Sequence, residues 1–299
     1  ITWDAGAAST VVLEVTVTDA NGCSNTCTKN VTVNALPTCT ITAVDVCENT
    51  TGNSASTASG YASYSWTVKS GNGTITGGAD TYTITWDAGA ASTVVLEVTV
   101  TDANGCSNTC TKDVTIDESP TVTLSGDTSF CEGSDTTITA SVSGGTPDYS
   151  YDWGASSASG TANDGTFTAT GTGTVAVTVT DDNDCTDSDS VDVTANPSPT
   201  CHITASPGTE VPEGTDVTLT EDGGDALSWL WSTGATTCSI TVSTSDIYGV
   251  TITDANGCSS YCEIEVGVVT PPPPPPPPPA VGGEAYPVNK LAILAPWIA

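Results

Sequence analysis

The feature that most constrains this chain is an unchanged internal repeat. Residues 1–29 recur without substitution at residues 84–112, an offset of 83 residues. Weaker copies of the same segment lie at 172–193 and at 245–266. Repetition at a fixed period indicates that one structural unit is used several times along the chain.

Each copy predicts a β-hairpin. Apolar residues occupy every second position from Val94 to Val100, and Asn104-Gly105 then supplies turn residues that tolerate positive φ. A Trp-bearing strand recurs in mid-unit, at 61–68, 149–156 and 226–234. No stretch keeps an apolar period of 3.6 over ten residues, so the chain is predicted to be all-β, with two-sheet sandwiches.

Boundary prolines place each sandwich within about 80 residues. Residues 1–34 correspond to 84–117 and are therefore only the C-terminal part of a unit. The predicted division is a truncated repeat at 1–34, complete domains at 35–117, 118–195 and 196–268, a polyproline linker at 269–281, and the start of a C-terminal anchor segment at 282–299.

The Trp-bearing segment YSWTV, the ITW strand and the VTVTDANGC hairpin together resemble the PKD-type immunoglobulin-like repeats of prokaryotic cell-surface proteins. Residues 226–258 resemble the adhesin-type repeats of surface-adhesion proteins. The resemblance covers about residues 1–267. It implies tandem immunoglobulin-like (Ig-like) sandwiches that act as spacers and binders and carry no catalytic site.

The charge balance excludes several classes of function. Four Lys and no Arg stand against 35 Asp and Glu, for a net charge of −31. Such a chain repels nucleic acid. The single histidine, His202, is predicted to be an ordinary surface residue. The chain therefore lacks the histidines that His-based metal sites and Ser-His catalysis require. We therefore predict that the protein is not an enzyme and needs no cofactor.

The twelve cysteines indicate disulfides and an oxidising compartment, because the chain has no C-x-x-C motif. Comparison of the units suggests which cysteines disappear together: where Cys39 and Cys110 stand in the second unit, the third has Val122 and Asp189. The predicted pairs are Cys39–Cys110, Cys47–Cys106, Cys131–Cys185, Cys201–Cys262 and Cys238–Cys258. Cys23 and Cys27 are predicted to lack partners within their own unit.

Two acidic segments carry carboxylates at spacings that occur in functional sites. Asp181, Asp184 and Asp187 lie in a hairpin similar to a calcium loop, but Cys185 and Thr186 stand where a calcium hand needs an oxygen ligand and a glycine. A looser calcium site remains a candidate there, and a solvated turn is the preferred interpretation. Glu210 and Glu213 form a carboxylate pair without an aromatic platform, so glycoside chemistry is not predicted.

Tryptophans recur in the repeats, and three asparagines are candidate glycosylation sites. Trp66, Trp153 and one of Trp229 and Trp231 share a position in their units and are predicted to be core residues, while the other member of the Trp229/Trp231 pair is predicted to be partly exposed. Asn30, Asn49 and Asn72 begin glycosylation-type sequons.

The end of the chain changes character. Nine prolines at 271–279 predict a polyproline II rod of about 28 Å. The apolar residues 291–299 are too few to span a bilayer, and they resemble the start of a C-terminal anchor, which implies an extracellular location at the cell surface and membrane contact only through this tail. The alternative is a short tail that packs on a domain or a neighbouring chain.

The sequence therefore predicts a modular cell-surface protein that serves as a stalk, an adhesin or an assembly subunit, with other surface proteins or glycans as partners. The alternative is a set of accessory modules, with or without carbohydrate binding, that belong to a secreted polysaccharide-active enzyme. Residues 1–34 would leave apolar residues uncovered, and self-association through this incomplete repeat is expected.

Overall fold

A computed structural model describes residues 1–270 and 275–276. Every regular element in these residues is a β-strand, so the all-β prediction is confirmed. No helix in this part of the chain is long and apolar enough to cross a membrane. The predicted polyproline rod, except for Pro275 and Pro276, and the predicted anchor lie outside the described residues.

The chain divides into two compact units, Ile1–Ser198 and Pro199–Ala299. The first unit begins with an isolated antiparallel hairpin of two strands, β1 (Ser9–Thr18) and β2 (Ser24–Val33). Asp19 forms the turn by accepting hydrogen bonds from the backbone N–H groups of Asn21 and Cys23.

A two-sheet sandwich follows in residues 35–117. Its strands are β3 (Val46–Cys47), β4 (Asn53–Ser56), β5 (Ser63–Ser70), β6 (Gly73–Gly77), β7 (Thr83–Ala88), β8 (Ser92–Thr101) and β9 (Ser107–Asp117). One sheet has the order β3-β9-β8-β5 and the other β4-β7-β6. Strand β3 runs parallel to β9, and the other pairs are antiparallel.

The second sandwich completes the first unit. Its strands are β10 (Pro120–Ser125), β11 (Ser129–Cys131), β12 (Thr136–Gly144), β13 (Ser150–Asp152), β14 (Gly160–Asn163), β15 (Thr166–Ala169), β16 (Gly173–Thr180) and β17 (Thr186–Asn196). The sheet orders are β10-β12-β15-β14 and β11-β17-β16-β13. Strand β11 again runs parallel to the last strand of its sandwich.

The second unit contains the third sandwich. Its strands are β18 (Ile203–Ser206), β19 (Glu210–Pro212), β20 (Val217–Glu221), β21 (Ser228–Trp231), β22 (Ser239–Val242), β23 (Asp246–Thr253) and β24 (Ser259–Val269). The sheet orders are β18-β20-β22 and β19-β24-β23-β21. All three sandwiches therefore place a short strand parallel to their final strand, which is consistent with one repeated topology.

A buried tryptophan recurs at the same place in each of the three sandwiches. Trp66, Trp153 and Trp231 are buried between the two sheets of their sandwiches. Each indole N–H donates to a backbone carbonyl, that of Thr81, Asn163 and Thr237 respectively. Burial of an indole without such an acceptor would leave its donor unpaired, so this arrangement explains why Trp recurs at the position.

Trp86 is different, because it is fully buried and its Nε1 has no hydrogen-bond partner among the described residues. We expect Trp66→Phe to lower the free energy of unfolding more than Trp86→Phe, by about 1 kcal/mol or more, since only the second change removes an unsatisfied buried donor. Urea unfolding of the two variants measures the difference. An equal or larger loss for Trp86→Phe would contradict the assigned hydrogen bonds.

Candidate interaction surface

The same 29 residues occupy two different environments. In the first complete sandwich, Trp86 and Leu96 have no exposed surface, whereas their counterparts Trp3 and Leu13 are 41% and 37% exposed. The next inward-facing residues of β1 follow the same trend: Val15 and Val17 are 46% and 63% exposed, and their counterparts Val98 and Val100 are fully buried. The hairpin therefore presents a core face that the described residues leave uncovered.

A shallow groove lies along this face. Its volume is about 340 Å³, and its lining includes Ile1, Trp3, Leu13, Val15 and Cys27. Cys27 is exposed and unbonded, as is Cys23. The counterpart of Cys27 is Cys110, which forms a disulfide with Cys39. We call the apolar face of residues 1–34 together with Cys27 the hairpin surface.

The cysteines of the complete sandwiches correct part of the predicted pairing. The structure contains the Cys39–Cys110 and Cys201–Cys262 bonds. The predicted Cys47–Cys106 bond is wrong, because Cys47 is bonded to Cys185 of the next sandwich and Cys106 is free.

Geometry along β9 explains this correction. Cys47 pairs with Asp117 at the end of β9, whereas Cys106 precedes the start of that strand. Eleven residues of β-strand separate the two cysteines by roughly 35 Å, about 3.3 Å per residue. Disulfides need Cα atoms within about 7 Å, so Cys47 reaches instead the first hairpin cysteine of the following sandwich.

Two further predicted pairs are wrong. Cys131 pairs in register with Asn196 at the far end of β17 from Cys185, so the Cys131–Cys185 bond fails for the same reason, and Cys185 is taken by Cys47. Cys238 is free and exposed, next to the sheet of β18, β20 and β22, while Cys258 lies buried in the hairpin of the opposite sheet. Cys131 and Cys258 are both disulfide-bonded.

The second sandwich has no disulfide equivalent to Cys39–Cys110. Acidic side chains instead join the corresponding strands. Asp189 accepts a hydrogen bond from the backbone N–H of Leu124, and Asp187 accepts one from Val122. These bonds link β17 to β10. Carboxylate-to-backbone hydrogen bonds therefore stand in the second sandwich where the first has the Cys39–Cys110 disulfide.

Backbone N–H groups also occupy the carboxylate of Asp181, another of the candidate calcium ligands. The Asp181 carboxylate is buried and accepts hydrogen bonds from the backbone N–H groups of Thr146, Asn183 and Cys185. Asp184 lies in the turn with φ of 62°, where the other hairpins have glycine. Within residues 1–270 and 275–276, no group of three or more His, Cys, Asp or Glu side chains is placed to hold a metal ion.

The remaining candidate residues are dispersed. Glu210 lines a surface depression of about 320 Å³ with Glu265, and Glu213 is not part of its lining. Trp231 lies in the core, whereas Trp229 is partly buried and donates its indole N–H to Glu221. His202 is largely exposed and contacts Asp222. The three sequon residues, Asn30, Asn49 and Asn72, are all exposed.

Comparison with known families identifies one domain. Residues 34–116 match the family model of the PKD-like domain, and this range agrees within one residue at each end with the first complete sandwich. These residues form a PKD-like domain. No curated protein sequence matches the chain.

Solved structures similar to the chain include arrays of Ig domains and of fibronectin(III)-like modules. The N-terminal eight Ig domains of the Down syndrome cell adhesion molecule are 12% identical and have a TM-score of 0.41 over 88% of this chain, which spans 40% of that structure. The fibronectin(III)-like modules of Clostridium thermocellum CbhA are 15% identical, with a TM-score of 0.29 over 53% of this chain and 95% of theirs. A Ca²⁺-stabilised, ice-binding adhesin of an Antarctic bacterium is 17% identical, with a TM-score of 0.33 over 87% of this chain and 82% of its own. Likenesses at this level carry no argument about function.

Negative charge concentrates where the PKD-like domain ends. Burial raises the pKa of the Asp117 carboxyl above its ordinary value, and the nearby charges of Asp45 and Asp181 raise it further. A raised carboxyl pKa means that the folded domain binds this proton more tightly than the unfolded chain does. Stability is therefore lost as the pH rises from the ordinary value through the folded pKa.

We expect Asp117→Asn to stabilise the PKD-like domain at pH 7 and to have little effect near pH 3, where Asp117 is already protonated in both states. Asp113→Asn is the matched control, because it removes one exposed carboxylate from the same strand. Thermal melts of both variants at the two pH values make the comparison. Equal shifts for the two variants at pH 7 would show that Asp117 is not specially placed.

Proposed function

We propose that this chain is a non-catalytic modular protein of the cell surface, in which successive Ig-like sandwiches form a braced stalk that displays an adhesive or assembly surface. The observation that carries the proposal is the Cys47–Cys185 disulfide, which joins the PKD-like domain to the sandwich that follows it. A bond between neighbouring sandwiches restrains their movement relative to each other, which suits a stalk.

The bond adds a second covalent connection between these two sandwiches. Strand β9 ends at Asp117 and β10 begins at Pro120, so a short connection already joins them. A second link beside the first restrains bending at the junction. Both links lie close to Asp181, whose buried carboxylate fixes the backbone of Cys185.

The composition supports an extracellular setting for such a stalk. Disulfides form and persist in oxidising compartments. The charge of −31 keeps neighbouring molecules apart and does not suit a nucleic-acid partner. The carboxylates of the acidic hairpin in the second sandwich accept hydrogen bonds from the backbone, which suits a structural role better than a catalytic one.

Force spectroscopy on the full chain tests the mechanical role. In the oxidised chain the Cys47–Cys185 bond closes a loop of 138 residues, which force cannot extend. The comparison is made in a chain in which Cys131 and Cys258, which are also disulfide-bonded, are replaced by Ser. Between residues 39 and 185, a further Cys47→Ser/Cys185→Ser exchange then leaves only the 71-residue loop of Cys39–Cys110 closed. About 67 additional residues should then extend, or roughly 230 Å of chain at ~3.4 Å per residue.

The control for this experiment is Cys238→Ser, which removes an exposed free thiol and should leave the extension unchanged. If the chains with and without the Cys47→Ser/Cys185→Ser exchange extend equally, the junction is not braced. The stalk proposal would then lose the observation on which it depends.

A further inference from the structure

The third sandwich has an open sheet edge at a place where the first two sandwiches have a strand. In the PKD-like domain, β7 is paired on both sides, with β4 and with β6. In the second sandwich, β15 likewise lies between β12 and β14. The corresponding strand of the third sandwich is β22, which pairs only with β20. The described residues therefore leave one edge of β22 without a hydrogen-bonded neighbour.

A shortened connection inside the third sandwich accounts for the missing strand. Strand β6 lies within residues 71–82, which connect β5 to β7, and β14 lies within residues 153–165, which connect β13 to β15. The corresponding connection from β21 to β22 consists only of residues 232–238. Part of it is a turn, in which the backbone N–H of Trp231 donates to the carbonyl of Ala235. The remainder is too short for a strand with a turn at each end.

The backbone groups at the open edge of β22 can be assigned from one hydrogen bond. The N–H of Glu221 donates to the carbonyl of Cys238. Hydrogen-bonded and non-hydrogen-bonded pairs alternate along an antiparallel ladder, so Ile240 and Val242 also direct their N–H and C=O groups toward β20. The N–H and C=O groups of Thr241 therefore point to the open edge, where a further strand could bind them.

The open edge carries no charge in a chain that is strongly acidic. Residues 226–245, which include β22 and the turn before it, contain no charged residue and no proline. Charged side chains and prolines are the usual means by which an edge strand avoids pairing with another chain. At a net charge of −31, two copies of this chain repel each other least where a surface is uncharged. This edge is such a surface.

The sequence of the edge is complementary to itself. Residues 239–243 are Ser-Ile-Thr-Val-Ser, which is nearly the same in both directions. We propose that β22 pairs antiparallel with β22 of a second copy of this chain, about a two-fold axis at Thr241. The two Thr241 residues exchange both of their N–H···O=C hydrogen bonds across the axis. Ile240 of each copy then lies beside Val242 of the other.

The side chains match on both faces of the joined sheet. Val242 is buried and Ile240 is half-buried, so their contact continues the apolar inner face from one copy into the next. Thr241 is exposed and meets the same residue of the second copy on the outer face. Paired threonines already occur in this chain, where the Thr99 and Thr109 hydroxyls are 2.8 Å apart between β8 and β9. A two-fold contact of this kind requires one strand only, used twice.

This inference goes beyond the proposed stalk, because it pairs two stalks side by side through their third sandwiches. It does not depend on the Cys47–Cys185 bond, which lies in the first compact unit, so each claim can fail without the other. Each chain brings a charge of −31 to the pair. Pairing should therefore be stronger in about 0.5 M salt than in about 10 mM salt, where the repulsion is less screened.

A spin label on Cys238, which is exposed and free, tests the pairing and its register. The other free cysteines, Cys23, Cys27 and Cys106, are replaced by Ser in the otherwise full chain. The proposed register places the two Cys238 residues six positions apart along the strands, or roughly 20 Å at about 3.3 Å per residue. We expect double electron–electron resonance to show this distance, in a share that rises with protein concentration and with salt. Monomers under all conditions, or a different distance, would overturn the proposal.

Thr241→Glu and Thr204→Glu form a matched pair of variants in the labelled chain. Both threonines are exposed on the outer face of the same sheet, Thr241 on the open edge strand β22 and Thr204 on the opposite edge strand β18. Both variants add one negative charge, but only Thr241→Glu brings two carboxylates together at the axis. We expect Thr241→Glu to lower the fraction of paired chains at least tenfold and Thr204→Glu to leave it within twofold. If pairing persists in Thr241→Glu, the hairpin surface or another face causes it, and the proposal is refuted.

A peptide of residues 72–78 tests the alternative that the edge receives a strand from another protein. This peptide contains β6, the strand that fills the corresponding place in the PKD-like domain. We expect an excess of the peptide to reduce the fraction of paired chains by competing for β22, and to have no such effect when its central Ile75 is replaced by Pro. Binding of the peptide to a chain that never pairs with itself would overturn the choice of a second copy as the occupant.

Discussion

Replacing both cysteines of the Cys39–Cys110 disulfide by Ala is expected to lower the free energy of unfolding of the PKD-like domain by about 4 kcal/mol, the chain-entropy value for a loop of this size. The bond closes a separation of 71 residues and ties the first segment of the domain to β9. The domain is small, and its core contains only eleven buried hydrophobic residues. A loss of this size would remove a large part of the stability typical of such a domain.

Hydrogen exchange of residues 107–117 measures this loss. Peptides from β8 are unsuitable because β1 has the same sequence, whereas Asp113 makes the β9 segment unique. Cys238→Ala is the control, because that thiol is exposed and free, and it should change stability by less than about 0.5 kcal/mol. Unchanged protection of β9 in the double variant would show that the bond does not constrain the domain.

Asp181→Ala is expected to destabilise the second sandwich by about 3 kcal/mol, because it leaves the buried N–H of Cys185 and the half-buried N–H of Thr146 without an acceptor. The Asp181 side chain is only 4% exposed and accepts three backbone N–H bonds. One of them, from Thr146, joins the hairpin to a separate connection of the same sandwich.

Asp102→Ala provides the comparison within the PKD-like domain. Asp102 is partly exposed and accepts only the two turn N–H bonds, from Asn104 and Cys106, which water can replace. We expect about 1 kcal/mol for this variant. Urea unfolding gives both values, and equal losses would show that the Thr146 bond and the burial of Asp181 contribute nothing.

The fold could be predicted from the sequence because its signals are local. The alternation along β8 places Val94, Leu96, Val98 and Val100 on one buried face, and the Asp-Ala-Asn-Gly turn sets the register of β8 on β9. The recurrent core tryptophan follows from the same alternation. Hydrophobic period and turn chemistry are sufficient for such elements.

The cysteine pairing could not be predicted in full, because it depends on where strand ends lie in three dimensions. Comparison of the repeats predicts a Cys131–Cys185 bond, because the third repeat retains both of these cysteines. The structure instead bonds Cys185 to Cys47, since the last strand of each sandwich separates its two ends by the length of eleven residues. The pattern of retained cysteines is the same whether a disulfide joins two cysteines of one repeat or cysteines of neighbouring repeats.

The acidic hairpin shows a similar limit. Asp181 and Asp187 resemble metal ligands in spacing, yet their oxygens are occupied by backbone N–H groups from residues more than 30 positions away. Spacing within a hairpin cannot reveal such distant donors. The replacement of the Cys39–Cys110 bond by the Asp189 contact to Leu124 was missed for the same reason.

The central claim, that the PKD-like domain is joined covalently to the sandwich that follows it, is tested most directly by trypsin digestion without reduction. The four lysines divide the chain so that Cys39 and Cys47 lie in residues 30–69, Cys106 and Cys110 in 70–112, and Cys185 in 113–290. We predict that the 30–69 peptide is linked both to 70–112 and to 113–290, with Cys47 bonded to Cys185. A 30–69 peptide linked only to 70–112, through both of its cysteines, would contradict the account.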